Sequence, residues 1–582
     1  MDYQSKINNE GTLLDSNSDN LSLTKTCKQC GVNFVIEKED LEFYDKMSPE
    51  FSGKKYQIPA PTLCPEDRSR NRLAFRNLRD IHMRKCDATG EKILSHFTEN
   101  VSFPVYKTDY WWGDGWDGTK YGRDFDFDRS FFDQFAELYK VAPQISRSEH
   151  TNENCDYCNG LSNCKDCYLS FNVDYCEDCL YITDGLHSKT CVDCFGIGNS
   201  ELCFECVRCD KCYNVNYSLR STNCSDSYFL SDCRGCKNCI GCCNLVNAEY
   251  FIFNKKSTKE EFEKIKKNLE NFDQIEEMRQ KFLKFQLNYP KKYYYSHSNE
   301  NFSGDDIRHV KNSYNVFEGD NLENCKNCYY LYNAKDCQDY DIYGNNSEWI
   351  YNCFATGSNV YHNAFCMHNW NGSKNNYYCN LISGCQDCFG CASLKHKQYC
   401  ILNRQYTKEE YERLIPKIIE KMKADGEWGE FFPVSMSVFA FNKTLAQENW
   451  PLTKEEIEKR GWKYEEPTDD IPHVEKVIED PDSLPKTISE VTEDVLNWAI
   501  KCKKSKRPFL IQPRELAFYK EQGIPLPHFH PEIRHQKRLE LKNPYKLFDR
   551  KCDNCGVDIK TSFAPNRTEK VFCEKCYQRS II

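Results

Sequence analysis

The stretch NCKDCYLSFNVDYCEDC, residues 163–179, places all four of its cysteines at separations that are multiples of three. The spacing continues on both sides: every cysteine from Cys155 to Cys242 lies on one three-residue grid, and only the adjacent Cys243 is off it. No grid position up to Phe251 carries a charged side chain, whereas acidic and basic residues occupy the other two phases. The pattern predicts that one line of the chain faces a dry interior and the other two face outward.

A three-residue spacing restricts the possible backbone. A continuous α-helix is excluded, because 3.6 residues per turn would carry the grid around the whole circumference. A collagen-like helix is excluded because glycine does not recur at every third position. We therefore expect a β-solenoid, in which positions six residues apart face the same way and a Cys-x-x-Cys pair turns the chain at a corner. The spacing of 27 residues between Cys164 and Cys191 favours a coil of that length.

The array occurs twice. NAEYFIFNKKSTKEEFEKI, from residue 247, matches HKQYCILNRQYTKEEYERL, from residue 396, at an offset of 149. In the second copy Cys164 and Cys167 become Ser313 and Val316. Metal ligands do not interchange with valine but core residues do, so we favour buried reduced cysteine over metal-binding or redox-active thiols in the arrays. The grid slips near 350 and again near 370, which makes the second copy less regular.

The expected fold class is mainly β: two duplicated cysteine-rich β-solenoid arrays with connecting helices, flanked by paralogous N- and C-terminal zinc-ribbon-like modules. The expected segments are a disordered tail at 1–24, an N-terminal zinc-ribbon-like module at 25–108, an aromatic and acidic connector at 109–150, array 1 at 151–254, a helical linker at 255–300, array 2 at 301–404, a helix and Trp-rich segment at 405–465, an acidic linker at 466–495 and a C-terminal zinc-ribbon module at 496–582.

The 37 cysteines do not indicate a secreted disulfide protein, because the first residues contain no basic stretch followed by an apolar one, as a signal peptide would. No run of about 18 apolar residues appears, so no membrane span is expected. A cytoplasmic location keeps thiols reduced, which makes zinc binding or burial the expected use of cysteine. The net charge of −10 argues against a protein that coats nucleic acid with its whole surface.

The two ends are copies of one module. CKQCGVNFVIEKEDLEFY, from 27, aligns with CKKSKRPFLIQPRELAFY, from 502, and PTLCPEDRSRNRL, from 61, aligns with PHFHPEIRHQKRL, from 527. The C-terminal copy holds two Cys-x-x-Cys pairs, the closed tetrahedral set of structural zinc: Cys552, Cys555, Cys573 and Cys576. The N-terminal copy offers a different set: Cys27, Cys30, Cys64 and Asp67. This second set predicts a Cys3Asp site, the alternative being a degenerate ribbon held by packing, and Zn2+ is the expected cofactor.

Both modules also carry a basic stripe at helical spacing. The residues are Arg68, Arg72, Arg76 and Arg79 in the first copy, and Arg534, Arg538 and Lys542 in the second. A basic stripe beside a zinc ribbon is typical of proteins that hold RNA phosphates, so these side chains are predicted nucleic-acid contacts. The alternative is a solvated or salt-bridged face.

Several segments resemble a cysteine-rich protein family with zinc-ribbon ends that is widespread in candidate phyla radiation bacteria. They are KTCKQCGVNF, DLEFYDKM, PTLCPEDRSRNRL, RKCDATG, YWWGDGWDGTKYG, EYFIFNKKSTKEEFE and GEWGEFFP. The likeness covers nearly the whole chain, although the family has Cys-Pro-x-Cys where this chain has CPED at 64–67. The resemblance implies a bacterial cytosolic protein.

No nucleophile elbow, phosphate loop or His-Glu-x-x-His motif is present, and DFDFD at 124–128 lacks the glycine and distal glutamate of a calcium loop. We therefore expect no enzyme, but a zinc-binding scaffold whose terminal ribbons contact RNA, with the ribosome as one candidate partner. The alternative is a protein-protein interaction scaffold that binds through the solenoid surface and uses zinc only structurally. No membrane and no small-molecule substrate are expected as partners.

Overall fold

A computed structural model describes residues 22–342, 344, 347–355, 357–467 and 473–581. Helix accounts for 24% and strand for 29% of the structure it describes, so the fold class is mixed, with many short strands, rather than mainly β. Most of the predicted disordered tail, and residues 468–472 of the predicted acidic linker, lie outside the described residues.

Twelve α-helices occur in the described ranges. They are α1 Lys38–Met47, α2 Pro65–Leu73, α3 Thr108–Trp112, α4 Phe131–Tyr139, α5 Lys259–Asn268, α6 Phe272–Gln286, α7 Lys408–Ala424, α8 Leu445–Asn449, α9 Lys454–Lys459, α10 Pro513–Gln522, α11 Pro531–Leu539 and α12 Glu574–Ser580.

The strands are short with few exceptions. Before array 1 lie β1 Leu23–Thr26, β2 Asn33–Ile36, β3 Glu50–Phe51, β4 Lys54–Lys55, β5 His82–Lys85, β6 Lys92–Ser95, β7 Val105–Tyr106 and β8 Gln144–Ile145. In and around array 1 lie β9 Glu149–His150, β10 Asn159–Ser162, β11 Phe171–Asp174, β12 Thr183–Leu186, β13 Phe195–Gly198, β14 Tyr213–Asn216, β15 Ser225–Tyr228, β16 Phe251–Ile252, β17 Lys255–Lys256 and β18 Lys291–Lys292. Array 2 contains β19 Ser296–His297, β20 Glu300–Glu323, β21 Tyr329–Lys335, β22 Cys337–Gln338, β23 Ile350–Tyr351, β24 Asn380–Ser383, β25 Ala392–Lys395, β26 Cys400–Ile401 and β27 Arg404–Gln405. The remaining strands are β28 Lys476–Ile478, β29 Trp498–Lys501, β30 Pro508–Phe509, β31 Phe548–Lys551, β32 Asp558–Thr561 and β33 Val571–Phe572.

Array 1 is built from parallel pairing at a constant offset of 12 residues, the separation of Cys158 from Ser170. Leu161 pairs with Val173, Val173 with Gly185, and Gly185 with Ile197. Nearly every third residue adopts a left-handed backbone conformation, as at Asn163 with a φ of 55°, so the chain bends after each short run. The predicted coil length, the separation of Cys164 from Cys191, is therefore wrong, because the chain returns to register after a shorter turn.

The grid residues fill the interior of array 1, as the sequence predicted. Cys167 and Cys179 are fully buried among the other grid side chains. Their thiols bond to backbone carbonyl groups: Cys164 Sγ donates to Val173 O at 3.2 Å. The Ser170 hydroxyl, on the same grid, donates to Tyr168 O at 3.1 Å. A small side chain with one weak donor therefore suits these positions, which explains why cysteine and serine share them.

Array 2 has the same parallel pairing, with one shorter turn of 11 residues between Ser296 and Ile307 and with three longer turns. Tyr329 pairs with Asp341 at an offset of 12, but Gln338 pairs with Tyr351, Tyr351 with Ala364, and Ala364 with Tyr377 at an offset of 13. Three single-residue insertions therefore shift the grid and then restore its phase. The predicted slips near 350 and 370 are confirmed, and the structure adds a third.

The chain divides into two compact units that do not follow the order of the sequence. Unit 1 takes in the described residues of 22–146, 294–465 and 545–547, so it combines the N-terminal module with array 2. Unit 2 takes in the described residues of 147–293, 466–544 and 548–581, so it combines array 1 with the C-terminal module. Each terminal module therefore packs on the array that is remote from it in the sequence.

The two terminal modules have the same order of elements, as the alignment predicted. Each contains a hairpin, two helices, a second hairpin and a final short helix: β1, β2, α1, α2, β5, β6 and α3 in one, and β29, β30, α10, α11, β31, β32 and α12 in the other. The N-terminal module has an additional hairpin, β3–β4, between its two helices. The strand after the second hairpin is also common to both: β7 pairs in parallel with β8, and β33 with β18.

Two connecting segments belong to the core of unit 2. Strand β28, in the expected acidic linker, pairs in parallel with β29, and Leu484 and Ile488 are buried against the C-terminal module. The expected helical linker after array 1 contains two helices, α5 and α6, whose Phe262 and Ile275 pack in one cluster with Cys243. This contact explains why Cys243 departs from the inward grid.

Candidate metal centres

Four hairpin turns in the two modules have the same hydrogen bonds. In the first, the Cys27 amide donates to Val32 O and the Gly31 amide donates to Cys27 O, both at 2.9 Å. The same pair of bonds follows Cys86, Cys502 and Cys552. We call these turns knuckles 1 to 4, covering residues 27–32, 86–91, 502–507 and 552–557. The local fold therefore persists at all four places, whatever ligands each carries.

Knuckle 4 and the start of α12 bring together Cys552, Cys555, Cys573 and Cys576. The four sulfur atoms lie within 4.8 Å of one another. Cys573 is the residue before α12, so the helix start fixes Cys573 and Cys576 three residues apart on one side. The predicted C-terminal cluster is thus assembled, and its four thiols could hold a metal ion.

The spacing of these thiols fits a tetrahedral ion. With metal–sulfur bonds of about 2.3 Å, two sulfur ligands of a tetrahedral zinc lie about 3.8 Å apart. The Cys555 and Cys573 sulfurs are 3.7 Å apart. Four thiolates fill a tetrahedron and leave no open position for a substrate, which is the arrangement of structural rather than catalytic zinc.

Backbone donors prepare one thiol of this cluster for metal binding. Burial works against ionisation of Cys552, but backbone amides, with that of Cys573 first among them, outweigh it and lower the pKa of the thiol to about 6. The Cys573 amide lies 3.3 Å from Cys552 Sγ. The side-chain amide of Asn554 donates to Cys576 Sγ at 3.1 Å. Donors of this kind stabilise thiolates, the form that binds metal.

Knuckle 1 and the start of α2 bring together the second predicted set, Cys27, Cys30, Cys64 and Asp67. Their ligand atoms also lie within 4.8 Å of one another. The Cys30 and Cys64 sulfurs are 3.7 Å apart, and Cys27 and Cys64 lie 3.1 and 3.7 Å from Asp67 Oδ2. All four residues therefore meet at one point, so Asp67 takes the place of the fourth cysteine.

The Asp67 carboxylate is fully buried and its two oxygens have different partners. Oδ2 faces the thiols, while Oδ1 accepts a hydrogen bond from Gln29 Nε2 at 3.0 Å and pairs with Arg70. Three thiolates and a carboxylate around a divalent ion leave two negative charges, and Arg70 offsets one of them. Burial, followed by the Asp67 side chain, raises the pKa of the Cys30 thiol to about 11, so metal binding here must displace protons.

The other two knuckles have lost the set of ligands. Knuckle 2 has Cys86, Thr89, Lys107 and Tyr110 at the corresponding positions, and knuckle 3 has Cys502, Ser505, His530 and Ile533. His530 precedes α11, where its Nδ1 accepts a hydrogen bond from the Glu532 amide at 3.1 Å. Its side chain therefore caps a helix, and neither set forms a metal cluster among the described residues.

The array cysteines also form no such cluster in the described part of the chain. All 37 cysteines are free thiols. This agrees with the interpretation that the grid is a packed core, in which sulfur bonds mainly to carbonyl oxygen.

The predicted basic stripe lies inside the protein rather than on an exposed face. Arg68 is 4% exposed; its Nη2 donates to Asp339 Oδ1 at 2.9 Å and its Nε lies 2.6 Å from Asp339 Oδ2. Arg72 is fully buried, with Nε 2.5 Å from Asp341 Oδ2. These guanidinium groups join the N-terminal module to array 2 within unit 1.

The same contact recurs in unit 2. Arg538 Nη1 donates to Asp193 Oδ1 at 2.8 Å, and Arg534 pairs with the other oxygen of the same carboxylate and with Glu515. Both arginines are about 95% buried. The four arginines are therefore unavailable to phosphate in this structure, which corrects the expectation of an exposed stripe; RNA binding by the protein itself stays a prediction.

The remaining members of the stripe also have partners within the protein. The Arg76 guanidinium lies 5.8 Å from the centre of the Phe354 ring, and Arg79 Nε lies 3.8 Å from Glu448. Lys542 Nζ lies 5.8 Å from the centre of the Phe195 ring.

The sequence did not predict the aspartates that pair with the arginines, although Asp193 and Asp339 occupy equivalent positions in the two arrays. Phe253 and Leu402 match at the offset of 149 between the arrays, and five turns of the regular length lead back from Phe253 to Asp193. Two regular turns and three of the longer turns lead back from Leu402 to Asp339. The three insertions hide this equivalence in an alignment without gaps.

A comparison with models of known protein families finds no match. No curated protein matches the chain either. Among the described residues, no helix combines the length and the apolar character needed to cross a membrane. The family resemblance noted in the sequence therefore stays an expectation.

Proposed function

We propose that the protein is a non-enzymatic scaffold in which zinc folds the two terminal modules, and each module is held on a β-solenoid array by buried arginine–aspartate pairs. The observation that carries the proposal is the pair of four-ligand clusters, each formed by a knuckle and a helix start. The solenoid assignment is supported by the parallel pairing of array 1 at a constant offset.

The donor sets favour zinc over other metals. Four thiolates, or three thiolates and one carboxylate, in a closed tetrahedral arrangement suit Zn2+ and not the hard ions Mg2+ and Ca2+, which prefer oxygen. The free thiols of the chain also fit the proposal of a cytoplasmic location, because the cytoplasm is reducing and cysteine there commonly binds zinc or is buried.

Protein partners on the arrays are favoured over RNA or the ribosome on the stripe. The stripe arginines are used inside the protein, whereas Tyr175 and Tyr213 of array 1 and Tyr314 of array 2 are about half exposed. Tyrosine is enriched where proteins bind one another, because one ring offers both apolar area and a polar group. Zinc has a structural role in this proposal.

Elemental analysis of the purified full-length chain tests the proposal. We expect two zinc ions per chain and no substantial iron. Cys573→Ser and Cys27→Ser should each remove one zinc ion, since each variant breaks one cluster. Cys179→Ala, which alters a buried grid thiol, should keep both. Several metals per chain, iron in place of zinc, or zinc loss in the Cys179 variant would contradict the proposal.

A further inference from the structure

Knuckle 3 has lost its metal ligands but carries an unusual density of positive charge. With the residue before it, the segment reads KCKKSKR over residues 501–507, in which all but Cys502 and Ser505 are basic. At the corresponding positions, the two knuckles that bear metal clusters end in valine, Val32 and Val557, and knuckle 2 ends in Glu91. Knuckle 3 contains four basic residues, whereas knuckle 1 contains one and knuckles 2 and 4 contain none.

Acidic neighbours neutralise only part of this charge. Lys501 pairs with Glu479 and Lys503 pairs with Asp482, each at 2.7 Å. Lys504 and Lys506 are exposed and form no ion pair within the described ranges.

A third cation, Lys537 of α11, has acidic neighbours. The charges of Glu205 and Glu276 act on it more strongly than that of Lys504, and its ammonium lies 3.2 Å from the centre of the Phe529 ring. The charge that no ion pair among the described residues balances is therefore that of Lys504 and Lys506.

The backbone of the knuckle is strained to place one of these lysines. Lys506 has a φ of 61°, whereas knuckles 1, 2 and 4 have Gly31, Gly90 and Gly556 at this point, with φ near 75°. Left-handed backbone is the region in which glycine is least hindered and a lysine side chain is disfavoured. Outside the two arrays, 151–254 and 301–404, Ser52, Ser298 and Lys506 are the only described non-glycine residues with positive φ. Because a glycine at position 506 would relieve this strain, the lysine there suggests a hypothesis of function.

We propose that knuckle 3 binds the phosphate backbone of a nucleic acid, with Lys504 and Lys506 each neutralising one phosphate. Ammonium groups act as point charges, so the contact depends on the charge of the phosphates and not on the base sequence of the nucleic acid. No exposed apolar side chain lies in 501–507 to anchor a membrane surface. The site is independent of both metal clusters.

Fluorescence anisotropy with the zinc-loaded full chain tests this site, using labelled oligouridylate, oligothymidylate and polyglutamate. We expect both oligonucleotides to bind at low salt, the shared ligand being the phosphate backbone; a difference between them would identify RNA or DNA as the preferred source. The double variant Lys504→Gln/Lys506→Gln should flatten the slope of log affinity against log salt by about 1.4, at about 0.7 per contact. Lys264→Gln/Lys267→Gln, which removes two lysines of α5 and the same charge, should leave the slope unchanged.

Lys506→Gly separates function from structure. The glycine relieves the backbone strain, so the thermal midpoint should rise while oligonucleotide binding weakens. A higher midpoint with unchanged binding would overturn the proposal. So would absence of oligonucleotide binding by the unmodified protein, equal losses in the α5 control, or polyglutamate binding of the same strength and lysine dependence, which would indicate an acidic protein partner.

Discussion

Replacing Asp193 with asparagine should release the C-terminal module from array 1. Asp193 is fully buried and accepts hydrogen bonds from both Arg534 and Arg538. Asparagine keeps the shape but removes the charge, leaving two buried guanidinium groups, of which Arg534 keeps its ion pair with Glu515. Breaking a buried ion pair by removing one partner costs about 3–5 kcal/mol. Because 1.4 kcal/mol is a factor of ten, amides of α11 should exchange with solvent roughly two to three and a half powers of ten faster.

Hydrogen exchange with mass spectrometry on the zinc-loaded full chain measures this change. Asp178→Asn is the matched control, because Asp178 pairs at 3.3 Å with Arg514 of the same module but is about half exposed. An exposed pair contributes about 0–1 kcal/mol, so exchange should rise at most about fivefold. The quadruple variant Asp193→Leu/Arg534→Met/Arg538→Met/Glu515→Gln should restore most of the protection, since both arginines and both of their carboxylate partners are then neutral. Equal effects of the two asparagine variants would refute the reasoning.

Three further outcomes are expected. Cys573→Ser should unfold the C-terminal module locally, because about 10–16 kcal/mol of apparent zinc affinity is coupled to folding. Cys176→Ala should lower the free energy of unfolding in urea by only about 1–3 kcal/mol, with the zinc content of the protein unchanged. Burial, followed by repulsion from Arg76, lowers the pKa of His96 to about 3. The stability contributed by the neutral ring is therefore complete above the unfolded pKa of 6.5 and should be lost as the pH falls towards 3. His96→Phe should flatten the pH dependence of the thermal midpoint in that range. Gly118→Ala would place a Cβ 2.2 Å from Ser393 O. The connector at 109–150 should then bind array 2 less tightly, and its backbone amides should exchange faster with solvent. Unchanged hydrogen exchange would show that the backbone can shift to make room.

The sequence predicts the interior of the arrays because the signal is local. A charged side chain at one phase of three would lie in the core, so the absence of charge from that phase identifies the inward line. The length of a turn is not encoded in that line, since every turn length that is a multiple of three keeps the same residues inside. A better signal lies in the outward polar residues: Asn154 Nδ2 donates to Asp166, 12 residues further on, at 3.2 Å.

The metal clusters were predictable and the docking of the modules was not. Ligands such as Cys552 and Cys555 sit in one turn, so their spacing alone specifies their geometry. The partner of Arg68 lies 271 residues away in the sequence, and nothing near the arginine indicates an acid at that distance. Arginines at helical spacing are as compatible with a buried, ion-paired surface as with an exposed one, so the pattern did not decide whether these side chains face solvent or the array.

The crossed pairing of modules and arrays has a consequence for biosynthesis. The N-terminal module leaves the ribosome first, yet Asp339, which receives Arg68, follows 271 residues later. At about 5–20 residues per second, the module waits roughly 14–54 s with its arginines unpaired. Array 1 is likewise synthesised before the C-terminal module that packs on it. Early zinc capture by knuckle 1 would keep the waiting module folded, and no single cut in the chain yields either unit intact.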